Sequence, residues 1–445
     1  DHLLTAKLTN FITVYLQTSA KPSQQKVARG FYLALDASSF TFFALSLCLP
    51  SGYSYGSTAL ALLSIVGCAV FRSKLPTGQD TRILMGIILV LGLLWSRSFD
   101  RQFSIADWEF GARYALAALS LCYISKTGIR LSAIVWGLAC GALGALAIAA
   151  YQTEVLKMAR VSGFTNAIQY GGIAMYLGFA TITIAILGRW GKWQAAVLGL
   201  LGACGILASF LSDSRGSWVV TPLLIAAIWL MAWLNGFKKL ASIAAAGIIV
   251  ALGVLVAVPA YNKLEQRAQA ASQEVSEYLQ DPQKYAVTSV GQRLEHWRLA
   301  IHLIEQHPIS GWGLVGYPAA KQQMVEQGLA HPSVLEYGHA HNEILDMWVK
   351  RGLLGLVLLL LFYAVPAIIF WPTRKRLNRV PEEMRPKALA LRTTATLLPL
   401  AYFGFGWTQV FFAHNSGNMF YIFGLAVLWG GICGLQHPGR SVTDQ

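Results

Sequence analysis

Residues 352–371 read GLLGLVLLLLFYAVPAIIFW, twenty consecutive residues without a charged side chain. A helix of this length covers about 30 Å, the thickness of the hydrocarbon core of a bilayer. Hydrophobic residues make up 55% of the chain and charged residues only 13%, whereas about 25% is typical of a soluble domain. The composition therefore excludes a soluble globule, a disordered chain and a fibrous repeat, and it predicts a membrane protein.

Eleven further apolar stretches resemble this one, so the sequence predicts an all-α polytopic membrane protein with about twelve transmembrane helices. The predicted spans are residues 31–49, 55–71, 83–96, 107–125, 131–151, 168–188, 193–211, 217–234, 240–260, 352–371, 389–412 and 419–435.

The distribution of basic residues predicts how the chain is oriented. The net charge is +14, and 21 of the 35 Lys and Arg residues fall on one side of the predicted membrane if the N-terminus is cytoplasmic. Basic residues are enriched in the cytoplasmic loops of membrane proteins. We therefore attribute the charge to membrane orientation and not to a nucleic-acid partner, and we expect both termini in the cytoplasm.

One long polar segment, residues 261–351, is predicted to form a helical insertion on the outer, periplasmic side. Within it we expect a polar helix over 263–280 and an amphipathic helix over 291–306, followed by a tight loop over 311–318. Leu294, Trp297, Ile301 and Ile304 are predicted to share one face of the amphipathic helix. The predicted organisation is an N-terminal cytoplasmic or interfacial segment (1–30), transmembrane helices one to nine (31–260), the periplasmic loop domain (261–351), transmembrane helices ten to twelve (352–435) and a cytoplasmic tail (436–445).

Histidines are concentrated on the predicted outer side, where His339, His341 and Glu343 precede the tenth span. Two residues at i and i+2 of a helix point about 200° apart, so both imidazoles could share a metal ion only in extended backbone. The six cysteines lie in apolar stretches and behave as small hydrophobic residues. We therefore expect no metal. The histidines are either solvated interfacial side chains or groups that transfer protons near neutral pH.

Two arginines occupy positions where a charge is costly. Arg215 lies in a very short outer link between two spans, and Arg293 opens the amphipathic helix. Burying a guanidinium costs several kcal/mol unless an anion compensates, and its planar fork suits phosphate. The alternatives are a snorkelling Arg215 paired with Asp213 and a surface or headgroup-facing Arg293.

A third outer element runs from Arg160 to Asn166 and is followed by Gln169 and Tyr170. It supplies another cation just before the sixth span. We interpret it as the polar lining of a cavity or, alternatively, as an interfacial loop.

Several short motifs resemble those of the bacterial O-antigen ligases. These enzymes belong to a wider superfamily with the O-antigen polymerases and the O-linked protein oligosaccharyltransferases. The motifs cover roughly residues 150–350 and keep the order and sidedness of that superfamily. They are the Arg160…Gly163…Asn166 element, Ser-Arg-Gly within 212–218, the Ser289…Arg293…Trp297 spacing, the Pro308…Gly311-Trp312-Gly313 turn, and His341-Asn342 at the start of a span.

The resemblance implies a GT-C-like enzyme of the Gram-negative inner membrane whose active site faces the periplasm. Such an enzyme moves a glycan from undecaprenyl diphosphate to a sugar of the lipid A core, with inversion and without a metal or nucleotide cofactor. By this resemblance His341 is the expected base, with His339 as a second candidate, and Arg215 and Arg293 bind the diphosphate, with Arg160 as a further cation. The implied supporting residues are Asn342, Ser289, Trp297, Asn166, Gln169 and Tyr170.

The resemblance leaves other activities open. An O-antigen polymerase or a protein O-oligosaccharyltransferase would use the same donor and differ in the acceptor. A transporter of lipid-linked sugars should carry its unusual charges near the middle of the membrane. Because the candidate residues here gather at one face, the sequence favours an enzyme.

Overall fold

The computed structural model describes residues 22–70, 78–97, 105–238, 242 and 260–436. These residues form helices and no strand, which confirms the predicted all-α class. Nine helical segments of the described chain are long and apolar enough to cross a membrane, so the protein is a multi-pass membrane protein.

Seventeen α-helices are described, numbered here in chain order. They are α1 (Pro22–Leu45), α2 (Gly52–Val70), α3 (Gln79–Ser96), α4 (Ile105–Thr127), α5 (Leu131–Ala150), α6 (Ala167–Leu187), α7 (Lys192–Leu211), α8 (Arg215–Val219), α9 (Thr221–Leu234), α10 (Ala260–Gln280), α11 (Pro282–Tyr285), α12 (Ser289–Gln306), α13 (Gly313–Glu326), α14 (Glu343–Phe370), α15 (Arg374–Leu377), α16 (Arg385–Phe405) and α17 (Asn415–Gln436). A π-helical turn, Tyr151–Val155, extends α5, and two 3₁₀ turns lie at Pro332–Leu335 and Glu382–Met384.

Three of the twelve predicted spans are not among the nine. The stretches 31–49 and 107–125 correspond to α1 and α4, which reach spanning length but contain several charged residues. Both helices nevertheless belong to the bundle, since α1 packs on α2 and α5, and α4 packs on α3 and α17. The predicted span 240–260 lies outside the described residues apart from its last residue and residue 242.

The centre of the bundle is formed by α6, α16 and α17, whose residues are mostly buried. Within this centre, aromatic rings fill the core around Tyr421. Its ring centroid lies 4.8 Å from that of Tyr402, 4.9 Å from Phe362 and 5.1 Å from Phe412. Close-packed rings of this kind hold the segments that carry them in fixed positions.

The predicted helices of the insertion are present as α10 and α12, and Thr288 caps α12 by accepting a hydrogen bond from the Gly291 backbone N–H. Only part of the predicted apolar face of α12 packs inside the protein. Ile301 is 48% exposed, whereas Leu299 and Leu303 are buried. The buried face is set by packing against α13 and α14, which selects Leu299, Leu303 and Ile304.

The predicted loop at 311–318 is shorter than expected, because α13 begins at Gly313 and includes Pro318 near its start. The preceding turn is bonded to α14. Trp312 N–H donates to the Val349 carbonyl at 2.8 Å, and Leu353 N–H donates to the Ile309 carbonyl at 3.1 Å. The insertion and α14 are therefore joined through their backbones.

The span predicted at 389–412 ends earlier, at Phe405, and residues 406–414 form a loop between α16 and α17 that we call the α16–α17 loop. Phe412 anchors this loop. Its ring packs in the aromatic core, its N–H donates to Glu343 Oε2 at 3.1 Å, and its carbonyl accepts from Asn418 Nδ2 at 3.2 Å. The anchored loop crosses the same end of the bundle as the start of α14.

Candidate active site

Three arginines that are distant in sequence meet at this end of the bundle. Arg160 Nε donates to the carbonyl of Ser212 at 3.0 Å, which ties the Arg160 loop to the turn that precedes Arg215. Arg293 Nε donates to the Thr408 carbonyl at 3.4 Å. The turn after Arg215 touches the same residue, since a methyl group added at Gly216 would overlap the Thr408 side chain.

The three guanidinium groups influence one another. The pKa of Arg293 is lowered, first by burial and then by the charges of Arg215 and Arg160. Among the described residues, no carboxylate lies within ion-pair distance of any of these three groups. Neighbouring like charges in a partly buried place repel one another, and an anion between them would offset that repulsion. The cluster is therefore chemically suited to bind a phosphate-like anion.

Ser289 orients Arg293. The Nη1 of Arg293 donates to the Ser289 carbonyl at 2.7 Å and to its Oγ at 3.0 Å, across one turn of α12. Trp297 lies one turn further along the same helix, and its indole nitrogen is buried without a hydrogen-bond partner within the described chain. The Ser289…Arg293…Trp297 spacing thus corresponds to one helical face near the arginine cluster.

The loop that carries Arg160 is held by two amides. Gln152 Oε1 accepts from the N–H groups of Ser162 and Gly163 at 3.0 and 2.9 Å. Asn166 caps α6 by accepting from the N–H groups of residues 168 and 169 at 3.1 and 2.8 Å. Gly163 has a φ of +58°, a conformation that glycine adopts easily. The loop conformation is therefore built into the local sequence.

Gln169 and Tyr170, predicted as polar lining, have no exposed surface. Gln169 Nε2 donates to the Phe411 carbonyl at 3.4 Å, so it supports the α16–α17 loop from below. Tyr170 OH donates to the carbonyl of Ala145. Both side chains lie in the packed interior and bond to backbone groups there.

Next to the arginines lies a cluster of four histidines and a tyrosine. The ring centroid of His341 is 4.4 Å from His339, 5.1 Å from His296 and 4.6 Å from Tyr337. His414 lies 6.3 Å from His339. His296 has no exposed surface, and both of its ring nitrogens lack a hydrogen-bond partner among the described residues.

Charged side chains fix the loop that carries His339 and His341. Lys350 Nζ donates to the Gly338 carbonyl at 2.8 Å and pairs with Asp346 at 2.9 Å. Asp346 Oδ1 in turn accepts from the Ala340 N–H at 2.9 Å. His341 itself has a φ of +52°, which is unusual for a residue other than glycine. A strained backbone at such a position persists only where the surroundings enforce it.

The histidines are neutral at physiological pH. Burial, followed by the neighbouring His339 and Arg293, lowers the pKa of His341 to about 3. Burial also lowers the pKa of His296 to about 3 and that of His339 to about 4. Arg293 and His296 lie about one turn apart on α12, and the His296 ring contacts His341, so the arginine and histidine clusters adjoin each other.

The ring of His341 is held by a residue that the sequence did not indicate. His341 Nδ1 lies 3.1 Å from Gln409 Oε1, while its Nε2 is buried without a partner within the described chain. Asn342, which the sequence suggested as a support, caps α14 and donates to the Trp407 carbonyl at 3.3 Å. His339 contacts the backbone of His341, whose N–H lies 3.3 Å from His339 Nδ1.

Sequence reasoning also missed Thr408 and the buried position of His296. Thr408 and Gln409 fall in a stretch read as the end of a span, so their polarity was assigned to a helix terminus. His296 was one of the histidines predicted on the outer side. Nothing in the sequence distinguished it from the others, and only the structure shows that it is buried on α12. No three His, Cys, Asp or Glu side chains of the described residues are arranged to share a metal ion.

These features define a multi-pass membrane protein with a cationic, histidine-containing site at one end of its helical bundle. A family model described as O-antigen ligase matches residues 197–360, a range that includes Arg215, Arg293 and His341. This match supports membership of the O-antigen ligase superfamily and, in general terms, a ligase or polymerase type of glycosyltransferase activity on a lipid-linked glycan and a lipid acceptor. The chain is also 27% identical over 386 residues to an uncharacterized protein of Haemophilus influenzae, covering 85% of this chain and 94% of that protein.

Proposed function

We propose that this protein is an O-antigen ligase that transfers a glycan from undecaprenyl diphosphate to a sugar hydroxyl of the lipid A core. The observation that carries the proposal is the convergence of three arginines beside a neutral histidine whose Nε2 has no partner among the described residues. The reaction would take place at the periplasmic face of the bacterial inner membrane, in keeping with the predicted orientation. The same orientation gives both termini a cytoplasmic position.

The arginines would act on the leaving group. When the bond between C1 of the sugar and the diphosphate oxygen breaks, its electron pair remains on the diphosphate and increases its negative charge. Guanidinium groups already in position stabilise that charge without reorganising during the reaction. Arg215 and Arg293 are the proposed diphosphate ligands, with Arg160 as the third cation.

His341 would act on the acceptor. The hydroxyl oxygen attacks C1 on the face opposite the diphosphate, and its proton passes to Nε2 of His341. A neutral imidazole can accept this proton, and the lowered pKa of His341 keeps it unprotonated well below neutral pH. No metal or nucleotide takes part in this scheme, and holding both lipid-bound substrates in one site supplies proximity.

The test is transfer by the purified protein. It is incubated in detergent with undecaprenyl-diphosphate-linked glycan and lipid A core, with a chelator present and without nucleotide. We expect a lipid A core carrying the glycan from wild-type protein and none from His341→Ala. His302→Ala is the matched control, because His302 is an exposed histidine on α12; it should retain full activity.

Two further acceptors in parallel reactions separate the related activities. A product formed only with a second lipid-linked glycan would identify a polymerase, and one formed only with a Ser- or Thr-containing protein would identify a protein oligosaccharyltransferase. Full activity in His341→Ala would remove the assigned base. The absence of any covalent product would contradict glycosyl transfer itself.

A further inference from the structure

We infer that Gln409, supported by His414, is a positioning residue that holds His341 in the one tautomer able to accept a proton at Nε2. The inference deepens the proposed function and rests on it for the catalytic role of His341. Gln409 and His414 lie outside the matched range of 197–360, on the α16–α17 loop, of which the part up to residue 412 was predicted as the end of a span.

The contacts run through three side chains. His341 Nδ1 lies 3.1 Å from Gln409 Oε1, and Gln409 Nε2 lies 3.4 Å from His414 Nε2. The carbonyl oxygen of an amide accepts hydrogen bonds and does not donate them. Nδ1 of His341 therefore carries the proton in this arrangement, and Nε2 keeps its lone pair. The opposite amide orientation would place a donor against Nδ1 and the proton on Nε2, where it would block the reaction.

His414 gives the other end of the amide a partner. Burial lowers the pKa of His414, so its ring is neutral and can accept from Gln409 Nε2. The His414 ring also lies beside the start of α6, where the amide nitrogen of the capping residue Asn166 is 3.3 Å from Nδ1 and 3.5 Å from Nε2. A neutral histidine is thereby oriented by an amide, where many catalytic histidines use a carboxylate.

The loop that carries Gln409 is itself fixed. Gln409 is only 4% exposed, and the loop is pinned on one side by Asn342, which donates to the Trp407 carbonyl at 3.3 Å. On the other side, Phe412 is buried and bonded to Glu343. The backbone that carries Gln409 is therefore fixed on both sides, and moving it away from His341 would break buried hydrogen bonds, which is costly.

Two substitutions at Gln409 distinguish orientation from packing. Gln409→Leu keeps approximately the same volume but leaves Nδ1 of His341 without its acceptor, so both tautomers become populated. Gln409→Glu places a carboxylate beside the ring, which favours the imidazolium form and raises the pKa of His341. A residue that only filled space would produce neither effect.

The experiment combines NMR and kinetics on the full-length protein. Protein labelled with ¹⁵N-histidine is measured in detergent, and the His341 signals are assigned by their loss in His341→Asn. In wild type we expect a protonated Nδ1 and an unprotonated Nε2. In Gln409→Leu the two nitrogen shifts should move toward each other, and kcat should fall by about 10-fold to 100-fold, the usual loss when a partner that orients a histidine is removed.

The pH profile gives the second readout. In Gln409→Glu the acidic limb of kcat should move to higher pH by about 1 to 3 units. Gln306→Leu is the matched control, because Gln306 Nε2 lies 3.0 Å from His302 Nε2 in an exposed pair of the same type. That substitution should change neither the His341 signals nor the profile.

The inference is overturned if wild-type His341 carries its proton on Nε2, or if both Gln409 variants fold and keep the wild-type tautomer and pH profile. Folding of each variant is checked by yield and thermal unfolding. The NMR result does not require turnover. A wild-type protein that transfers no glycan but shows the expected tautomer would therefore contradict the proposed function and leave the positioning of His341 intact.

Discussion

Arg160 Nε donates a hydrogen bond of 3.0 Å to the carbonyl of Ser212, although 52 residues separate them in the chain. Ser212 lies three residues before Arg215, so this contact sets the relative position of two cations in the proposed diphosphate site. One hydrogen bond thus connects the loop before α6 with the short link between α7 and α8. The arrangement requires the side-chain nitrogen geometry of arginine as well as its charge.

Arg160→Lys tests this requirement. Lysine keeps the charge but has no Nε to reach the Ser212 carbonyl, so we expect kcat/KM for the lipid-linked donor to fall by about 10-fold or more, the loss expected for one charged hydrogen bond. Initial rates at varied donor concentration measure it. Arg374→Lys, on exposed α15, is the control and should match wild type. Equal activity of both variants would mean that the contact does not matter for donor binding.

Arg293 also affects the base. Its charge is one of the causes that lower the pKa of His341, after burial and His339. In Arg293→Gln that contribution is lost, so the pKa of His341 should rise. A ¹⁵N-histidine NMR titration measures this without turnover. Lys284→Gln, an exposed change on the same insertion, should leave the titration unaltered. An unchanged pKa in Arg293→Gln would show that the arginine and histidine clusters are electrostatically independent.

The buried histidines predict how stability depends on pH. Their folded-state pKa values, about 3 for His296 and His341 and about 4 for His339, lie below the ordinary value of 6.5. As the pH falls below about 6.5, the unfolded chain binds protons that the folded chain does not. The contribution of these histidines to the free energy of unfolding therefore decreases as the pH falls from about 6.5 to about 3.

Thermal unfolding in detergent between pH 7 and pH 4 measures this effect. His296→Phe should reduce the slope, because it removes one of the groups that is protonated only on unfolding and leaves an aromatic ring beside Tyr337. His302→Phe, at an exposed site, should keep the wild-type slope. The reverse order of the two slopes would contradict the assignment of His296 as a buried neutral histidine.

Gly352 is predicted to be intolerant of a side chain. It lies at a kink within α14 with a φ of +64°, and an added methyl group would overlap the Ile309 carbonyl oxygen. We expect Gly352→Ala to destabilise the fold by about 1–3 kcal/mol, the usual cost of such strain. The unfolding temperature should fall by several degrees. Gly199→Ala is the control, because a methyl group there meets nothing within 4 Å.

Most of the helices could be predicted because each corresponds to a local pattern of apolar or polar residues in the sequence. Runs of apolar residues gave the spans, and the polar segment between them gave α10 and α12. The limits were also local. Charged residues reduce the apolarity of α1 and α4, and the apolar residues around Phe411 and Phe412 disguised the α16–α17 loop as helix. Both aromatic side chains are buried inside the protein. Hydropathy cannot distinguish a residue that is apolar because it is buried in protein from one that is apolar because it faces lipid.

The arginines and His341 were predictable as candidates because a charge near a membrane requires a reason. Their convergence could not be read from spacing. It depends on Thr408 and Ser212, whose backbone carbonyls accept from Arg293 and Arg160. Every residue has a backbone carbonyl, so the sequence does not indicate which carbonyl will accept a hydrogen bond. Only the structure shows contacts of this type. The same holds for Gln409, an ordinary residue type placed beside His341 by the return of the chain after α16.

The backbone hydrogen bonds that join Ile309 and Trp312 to α14 restrict how this protein can be recombined with its relatives. A hybrid that exchanged only the insertion over residues 261–351 would pair a turn from one parent with a kink from another, across a contact with no room for a methyl group. Crossover points placed before residue 309 and after residue 353 keep turn and kink from the same parent. A hybrid built in this way exchanges the insertion as one block and keeps the two contacting surfaces together.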